Sequence, residues 1–133
     1  MKILFICRGN VGRSQMAEAF YNHYTKSINA FSAGVTKKAL ELYPKMDHTI
    51  CKIMKEKDID VSRQRVKLLT RKMVAEADEI FAMCQISHLP NYLSKSKKVK
   101  YWKIKDPVKM NLADTRKIRN KIDRRIKSLI KKK

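Results

Sequence analysis

Lys2 to Ile6 (KILFI) is a short apolar run that breaks off into Cys7-Arg8-Gly9-Asn10-Val11-Gly12-Arg13-Ser14, and no other feature limits the possible folds of this chain so strongly. A run of this length reads as a buried strand. Two of the three glycines in the chain fall just behind it, so the strand feeds a loop. From Ser14 to Lys26, Met16, Ala17, Phe20, Tyr21 and Tyr24 then recur at spacings of three and four, the pattern of one core-facing helical stripe. Strand, loop and helix follow within 26 residues.

The alternation continues down the chain. Ile28 to Ser32, closing at Ala33-Gly34, reads as a second strand. Met46 to Lys57 carries Ile50, Ile53 and Met54 among charges and reads as a helix, broken by Asp58-Ile59-Asp60-Val61-Ser62. Val66 to Ala75 is expected to be helical, Glu79 to Met83 a third strand, Ile86 to Leu93 a short helix and Val99 to Ile104 a fourth strand. From about Leu112 a basic helix places Ile118, Ile122, Ile126, Leu129 and Ile130 along one apolar edge. The expected fold is α/β: one domain over residues 1–133, a four-stranded parallel sheet with helices on both faces, and an anion-binding loop after the first strand. In such folds ligands sit at the carboxyl ends of the strands. Two loops there carry useful chemistry, Cys7 to Ser14 and Lys105-Asp106-Pro107.

Composition narrows the class further. With 44% hydrophobic residues over 133 positions, the chain is able to build a core without staples, and its longest apolar run, Ile3 to Cys7, is far shorter than a membrane span. The N-terminus lacks the long hydrophobic region and small-residue cleavage site of a signal peptide, so a cytoplasmic location is expected. Cys7, Cys51 and Cys84 are odd in number and widely spaced, which suits reduced thiols better than a disulfide framework or a metal site. His23, His48 and His88 form no spaced pair, and no cofactor or metal is expected. The formal net charge is +20, and the last 39 residues hold 17 basic against three acidic side chains. Such a surface draws anions of many kinds. A nucleic-acid partner is disfavoured but not excluded, because no aromatic residue follows Trp102 to stack on bases.

The first loop has a chemistry of its own. Successive backbone N–H groups of a loop entering a helix can converge on an oxyanion, and the helix N-terminus adds a positive dipole end. Arg8, Gly9, Asn10, Val11, Gly12, Arg13 and Ser14 are therefore candidate phosphate-binding residues. Gly9 and Gly12 are expected to supply backbone angles that side chains forbid, with Asn10 tolerating a left-handed conformation. Arg13 offers a planar fork matched to two oxygens of a tetrahedral anion. The same positive field favours the thiolate of Cys7, which is the attacking form, and Ser14 is placed to donate to that sulfur.

Cysteine, five residues, arginine, serine after an N-terminal strand, continuing as Ser14-Gln15-Met16-Ala17-Glu18-Ala19-Phe20, resembles the low-molecular-weight protein tyrosine phosphatases and the arsenate reductases that share their fold. Phe31-Ser32-Ala33-Gly34, Asp58-Ile59-Asp60-Val61-Ser62 with Thr70, Ala77-Asp78-Glu79-Ile80 and Asp106-Pro107 follow in family order. The resemblance implies a two-step phosphoryl transfer, with Cys7 as nucleophile, Arg13 as oxyanion clamp and Asp106 as general acid and then base. Asn10, Ser14 and Ser32 match a supporting network that shapes the loop. The implied substrates are a phosphorylated protein or a small aryl phosphate, with phosphate, sulfate or arsenate as site ligands.

Two branches of that family remain open. The residues after Arg13, and Tyr101-Trp102 ahead of Asp106-Pro107, resemble the thioredoxin-coupled arsenate reductases, which pass oxidation through three thiols. Cys84 matches the second thiol; the third is missing from Gln85-Ile86-Ser87-His88-Leu89-Pro90-Asn91, and Cys51 matches no relay position. Arsenate reduction would then need an external thiol such as glutathione or one from a partner. That branch often binds potassium beside the loop, and Asn10, Glu18 and Ser32 match its ligands. Lys67 stands where the fourth, an Asp, belongs, so its ammonium is expected to take the cation's place. Val108-Lys109-Met110 replaces the tyrosines that usually follow Asp-Pro in the phosphatases, leaving Tyr43, Tyr101 or Trp102 as candidate substrate walls. A non-catalytic module that binds phosphate or nucleic acid through the basic tail is the remaining reading, and an intact nucleophile, arginine and acid weigh against it.

Overall fold

The computed structural model describes all of residues 1–133. β1 (Ile3–Cys7) lies in the middle of a four-stranded, wholly parallel sheet with β2 (Ala30–Gly34), β3 (Glu79–Ala82) and β4 (Val99–Tyr101), in the order β2-β1-β3-β4. Every residue of β1 is buried, which is why its sequence is a continuous apolar run. Alternate residues serve opposite faces. Ile3, Phe5 and Cys7 join a cluster with α1 (Arg13–Thr25), α3 (His48–Lys55) and α6 (Leu112–Lys131), while Leu4 and Ile6 join a smaller cluster with α4 (Arg71–Glu76) and α5 (Asn91–Ser94). Helices thus cover both faces, as expected.

Phe5 anchors the larger cluster. Its ring lies 5.7 Å from that of Phe81, 5.8 Å from Trp102 and 6.4 Å from Tyr21, and burying such a ring contributes about 1.5–3 kcal/mol. The basic helix α6 is pinned beside it. Arg116 forks onto Glu56 at 2.7 and 3.0 Å, Arg119 donates to Glu56 at 2.6 Å and to the Ile53 carbonyl at 2.8 Å, and Tyr24 donates to the buried Asp123 at 2.5 Å. No helix is long and apolar enough to cross a membrane.

Several elements differ from expectation. The second strand starts at Ala30, and Ile28 is 92% exposed. The Asn22 side-chain amide brackets Ala30, donating to its carbonyl at 3.0 Å and accepting from its N–H at 2.9 Å, and so sets where the strand begins. The expected Val66–Ala75 helix begins only at Arg71, as α4, and runs one residue further, to Glu76. Lys67 and Leu69 instead grip Gly34, through Gly34 N–H to Lys67 O and Leu69 N–H to Gly34 O, both at 2.8 Å. Thr70 then caps α4 by accepting from the Met73 N–H at 3.2 Å. Pro90 divides the expected Ile86–Leu93 helix into a single 3₁₀ turn, Ile86–His88, and α5. The fourth strand stops at Tyr101, although the exposed and buried alternation continues to Lys105. One helix was not foreseen at all: α2 (Lys37–Leu42) buries no residue and so carries no apolar stripe.

Candidate active site

The strand order reverses around β1. β1 leads by way of α1 to β2 on one side, and the chain then crosses to β3 on the other, so a crevice opens at the carboxyl ends of β1 and β3. Cys7 ends β1 at that crevice and Met83 follows β3. The Arg13 guanidinium, 6% exposed at the start of α1, spans the gap by donating to the carbonyls of Met83 and, at 3.0 Å, Ile104. Its other end faces Asp106, with Nη2 to Oδ2 at 3.5 Å.

The loop between Cys7 and Arg13 is held by its carbonyls. The Cys7 and Arg8 carbonyls each accept the Val35 N–H at 3.0 Å, and Arg8 O also accepts the Thr36 N–H and hydroxyl. By contrast, none of the five backbone N–H groups from Arg8 to Gly12 donates to a main-chain carbonyl. Five consecutive amide donors without an acceptor in the main chain, beside a buried arginine, are groups of the kind that can receive an oxyanion.

Asn10 holds the shape of this loop. It is fully buried with φ 60°, the left-handed conformation expected of it. Its Nδ2 donates to the hydroxyls of Ser14 at 2.8 Å and Ser32 at 2.9 Å, and its Oδ1 accepts from Gln15 at 3.0 Å and from the Lys67 N–H at 2.8 Å. All four of its hydrogen-bonding capacities are used. Because Asn10 donates to both serines, each hydroxyl proton is free to go elsewhere: that of Ser32 to Glu18 at 2.8 Å, and that of Ser14 to the Cys7 sulfur at 3.0 Å.

Gly12, just ahead of α1, stands at φ −138° and ψ −91°, outside the main regions open to residues with side chains, as expected of it. No glycine in the chain has positive φ, and a Cβ on Gly9 or Gly12 would meet its neighbours at ordinary contact distances. The indispensable glycine is Gly34. A Cβ there would lie 2.8 Å from the Gly9 carbonyl carbon and 2.9 Å from Arg8 O, so the phosphate loop rests directly on the bare backbone of β2.

Over Cys7 lies a cleft of about 440 Å³, the size of a small-ligand site. Arg8, Gly9, Val11, Gly12, Arg13, Asp106 and Pro107 line it, which brings both sequence-identified loops together. Its mouth is ringed by Leu42, Tyr43 and Val108, each at least half exposed. Tyr43 is thus the aromatic wall, whereas Trp102 is 8% exposed and packs on Phe81 at 4.6 Å in the core. Leu42 and Ala39 were missed because they belong to the unforeseen α2, and Gln15 because its partners, Asn10 and Arg65 O, come from distant segments.

The remaining candidates sort by place. Lys67 approaches Glu18 at 3.8 Å and donates to Arg65 O at 2.9 Å, with burial holding its ammonium below the usual lysine pKa. Cys84 sits beside the loop, where burial first, and then the nearby Cys7, push its thiol up to about 11. Cys51 lines a separate hollow with His48, Gln64 and Arg65, away from the cleft. No group of three or more His, Cys, Asp or Glu side chains gathers anywhere in the chain.

The family model for low molecular weight phosphotyrosine protein phosphatase matches residues 2–133. The chain belongs to that family. Its relatives include proteins named for different activities. Over 128 residues it is 31% identical to arsenate reductase 1 of Bacillus cereus, covering 94% of this chain and 90% of the relative. It is 37% identical over 81 residues to the probable low molecular weight protein-tyrosine-phosphatase EpsP of Ralstonia nicotianae, covering 61% of this chain and 54% of the relative. The crystal structure of the low molecular weight protein tyrosine phosphatase from T. tengcongensis superposes with a TM-score of 0.85 at 28% identity, covering 100% of this chain and 99% of that one.

Proposed function

We propose that this family member is a phosphatase of phosphotyrosine or similar aryl phosphate monoesters. The observation that carries the reading is that Cys7, Arg13 and Asp106 line one cleft together with a loop whose amides have no main-chain acceptor. The Cys7 sulfur attacks phosphorus in line and the aryl oxygen leaves, while the amides and Arg13 hold the equatorial oxygens as charge spreads over them. Asp106 gives its proton to the departing oxygen. The same carboxylate then takes a proton from the water that breaks the sulfur–phosphorus bond, releasing phosphate and restoring the thiolate. Ser14 steadies the sulfur whenever it carries charge.

Arsenate reduction is the second reading, favoured by the position of Cys84 beside Cys7 and by the arsenate reductase relatives. Against it, the segment after Cys84 offers no third thiol, Cys51 lies in another hollow, and a thiol raised to about 11 is a poor attacking group at neutral pH.

Hydrolysis of para-nitrophenyl phosphate, a good leaving group, and of phenyl phosphate, a poor one, by the wild type, Cys7→Ser and Asp106→Asn tests the proposal. The first variant is expected to lose essentially all activity, and the second to slow by about 10²–10⁴ with poor leaving groups. Activity that survives Cys7→Ser would remove the mechanism. Arsenate turnover supported by glutathione or thioredoxin, without aryl phosphate hydrolysis, would put the reductase in its place.

A further inference from the structure

A second groove adjoins the cleft, sharing Arg8, Arg13 and Asp106 with it. One wall is the end of β4 with the segment that follows it. Tyr101, Lys103 and Lys105 are exposed along it while Trp102 and Ile104 are buried, so this extended stretch turns a phenol and two ammonium groups outward on one face. Ile86, 57% exposed, adds apolar surface to the same groove. Arg8, Lys103 and Lys105 have no acidic partner within 4.0 Å, although Lys100 and Lys133 at the sheet edge are both paired with Glu79. The only carboxylate in the groove, Asp106, is turned to Arg13.

We propose that this groove binds acidic residues flanking the phosphorylated side chain of a protein substrate. Three unpaired cations complement such a segment, and the shared rim lets one extended peptide occupy the cleft and the groove together. Tyr101 and Ile86 supply apolar contact between the charges. The substrate class rests on the phosphatase reading; the groove and its charge do not.

Binding to the Cys7→Ser protein, followed by fluorescence anisotropy, separates the two. A phosphotyrosyl peptide flanked by glutamates is compared with the same peptide flanked by alanines. The glutamate peptide is expected to bind about fivefold tighter at low salt, an advantage that shrinks as ionic strength rises. In the Lys103→Glu/Lys105→Glu background, and in the neutral Lys103→Gln/Lys105→Gln background, the advantage is expected to fall below about twofold. Equal affinity for the two peptides overturns the proposal, as does a preference that survives loss of both lysines. Equally tight binding of a single-stranded oligonucleotide of the same charge overturns it too, because the groove would then be reading charge alone. A wild type that leaves aryl phosphates untouched, while Cys7→Ser keeps the lysine-dependent preference, overturns the hydrolysis and supports the groove.

Discussion

The carboxylate of Asp106 lies 3.5 Å from the guanidinium of Arg13, so in the unliganded protein the proposed acid occupies part of the charge that the phosphate is to use. An entering anion competes with Asp106 for Arg13. Asp106→Asn removes the competitor, and inorganic phosphate is expected to inhibit the variant a few-fold more strongly, as about 0.2–1 kcal/mol of partly exposed ion pairing is released. Turnover falls in the same variant. Inhibition constants measured beside kcat check this, and equal or weaker inhibition would show that the pair does not oppose phosphate binding.

Asn10 has no substitute. Asn10→Ala strips partners from the buried hydroxyls of Ser14 and Ser32, from the buried Gln15 amide and from the part-buried Lys67 N–H. A loss of about 2–4 kcal/mol is expected from the groups left unsatisfied. Ser32→Ala removes two of these links, the acceptor of one Asn10 amide proton and the donor to Glu18, and is expected to cost about half as much. Urea unfolding of the three proteins checks the order.

Acid stability has an identifiable source in Glu56. Hydrogen bonds from Arg116 and then Arg119 lower its carboxyl pKa from 4.5 to about 2. A carboxylate with a lowered folded pKa adds stability in full above its unfolded value and loses it as pH falls towards its folded one. The window therefore runs from about 4.5 down to about 2. Across it the Tm of the wild type is expected to fall more steeply than that of Glu56→Gln, with the two slopes alike above pH 5. Thermal melts at half-unit pH steps provide the comparison.

Cys84 is expected to resist alkylation. With its thiol pushed up to about 11, the thiolate fraction at pH 7 is small, and labelling by iodoacetamide should rise about tenfold per pH unit until that value is approached. Mass spectrometry of the labelled peptides checks the slope. Rapid labelling of Cys84 at pH 7 would return weight to the reductase reading.

The chemistry was more legible in the sequence than the architecture that supports it. Cys7 ends a strand whose apolar run is plain and Arg13 opens the helix behind it, while Asp106 was marked by its place after the fourth strand together with the match of Asp106-Pro107 to the family. Inside the loop, the unusual backbone angles fall to Gly12 and the left-handed position to Asn10, both residue types that suggest it. The close approach is beneath the loop, at Gly34, a relationship between strands that no local pattern records. Val66 to Thr70 misled for a similar reason: its spacing suits a helix, but its backbone is engaged by Gly34. Helix α2, which closes one side of the cleft, has no buried residue and hence no periodic signal.

Arg13 reaches past its own helix to the main chain beyond β3 and β4, at Met83 and Ile104. Its aim therefore depends on how firmly the sheet's outer side is seated, and β4 is only three residues long. Partial fraying of that edge would swing the guanidinium out of line while the interior stayed intact. Warming or mild denaturant should accordingly silence turnover before any loss of helical signal, which makes catalytic rate a sensitive gauge of disorder at the outer strand of the sheet.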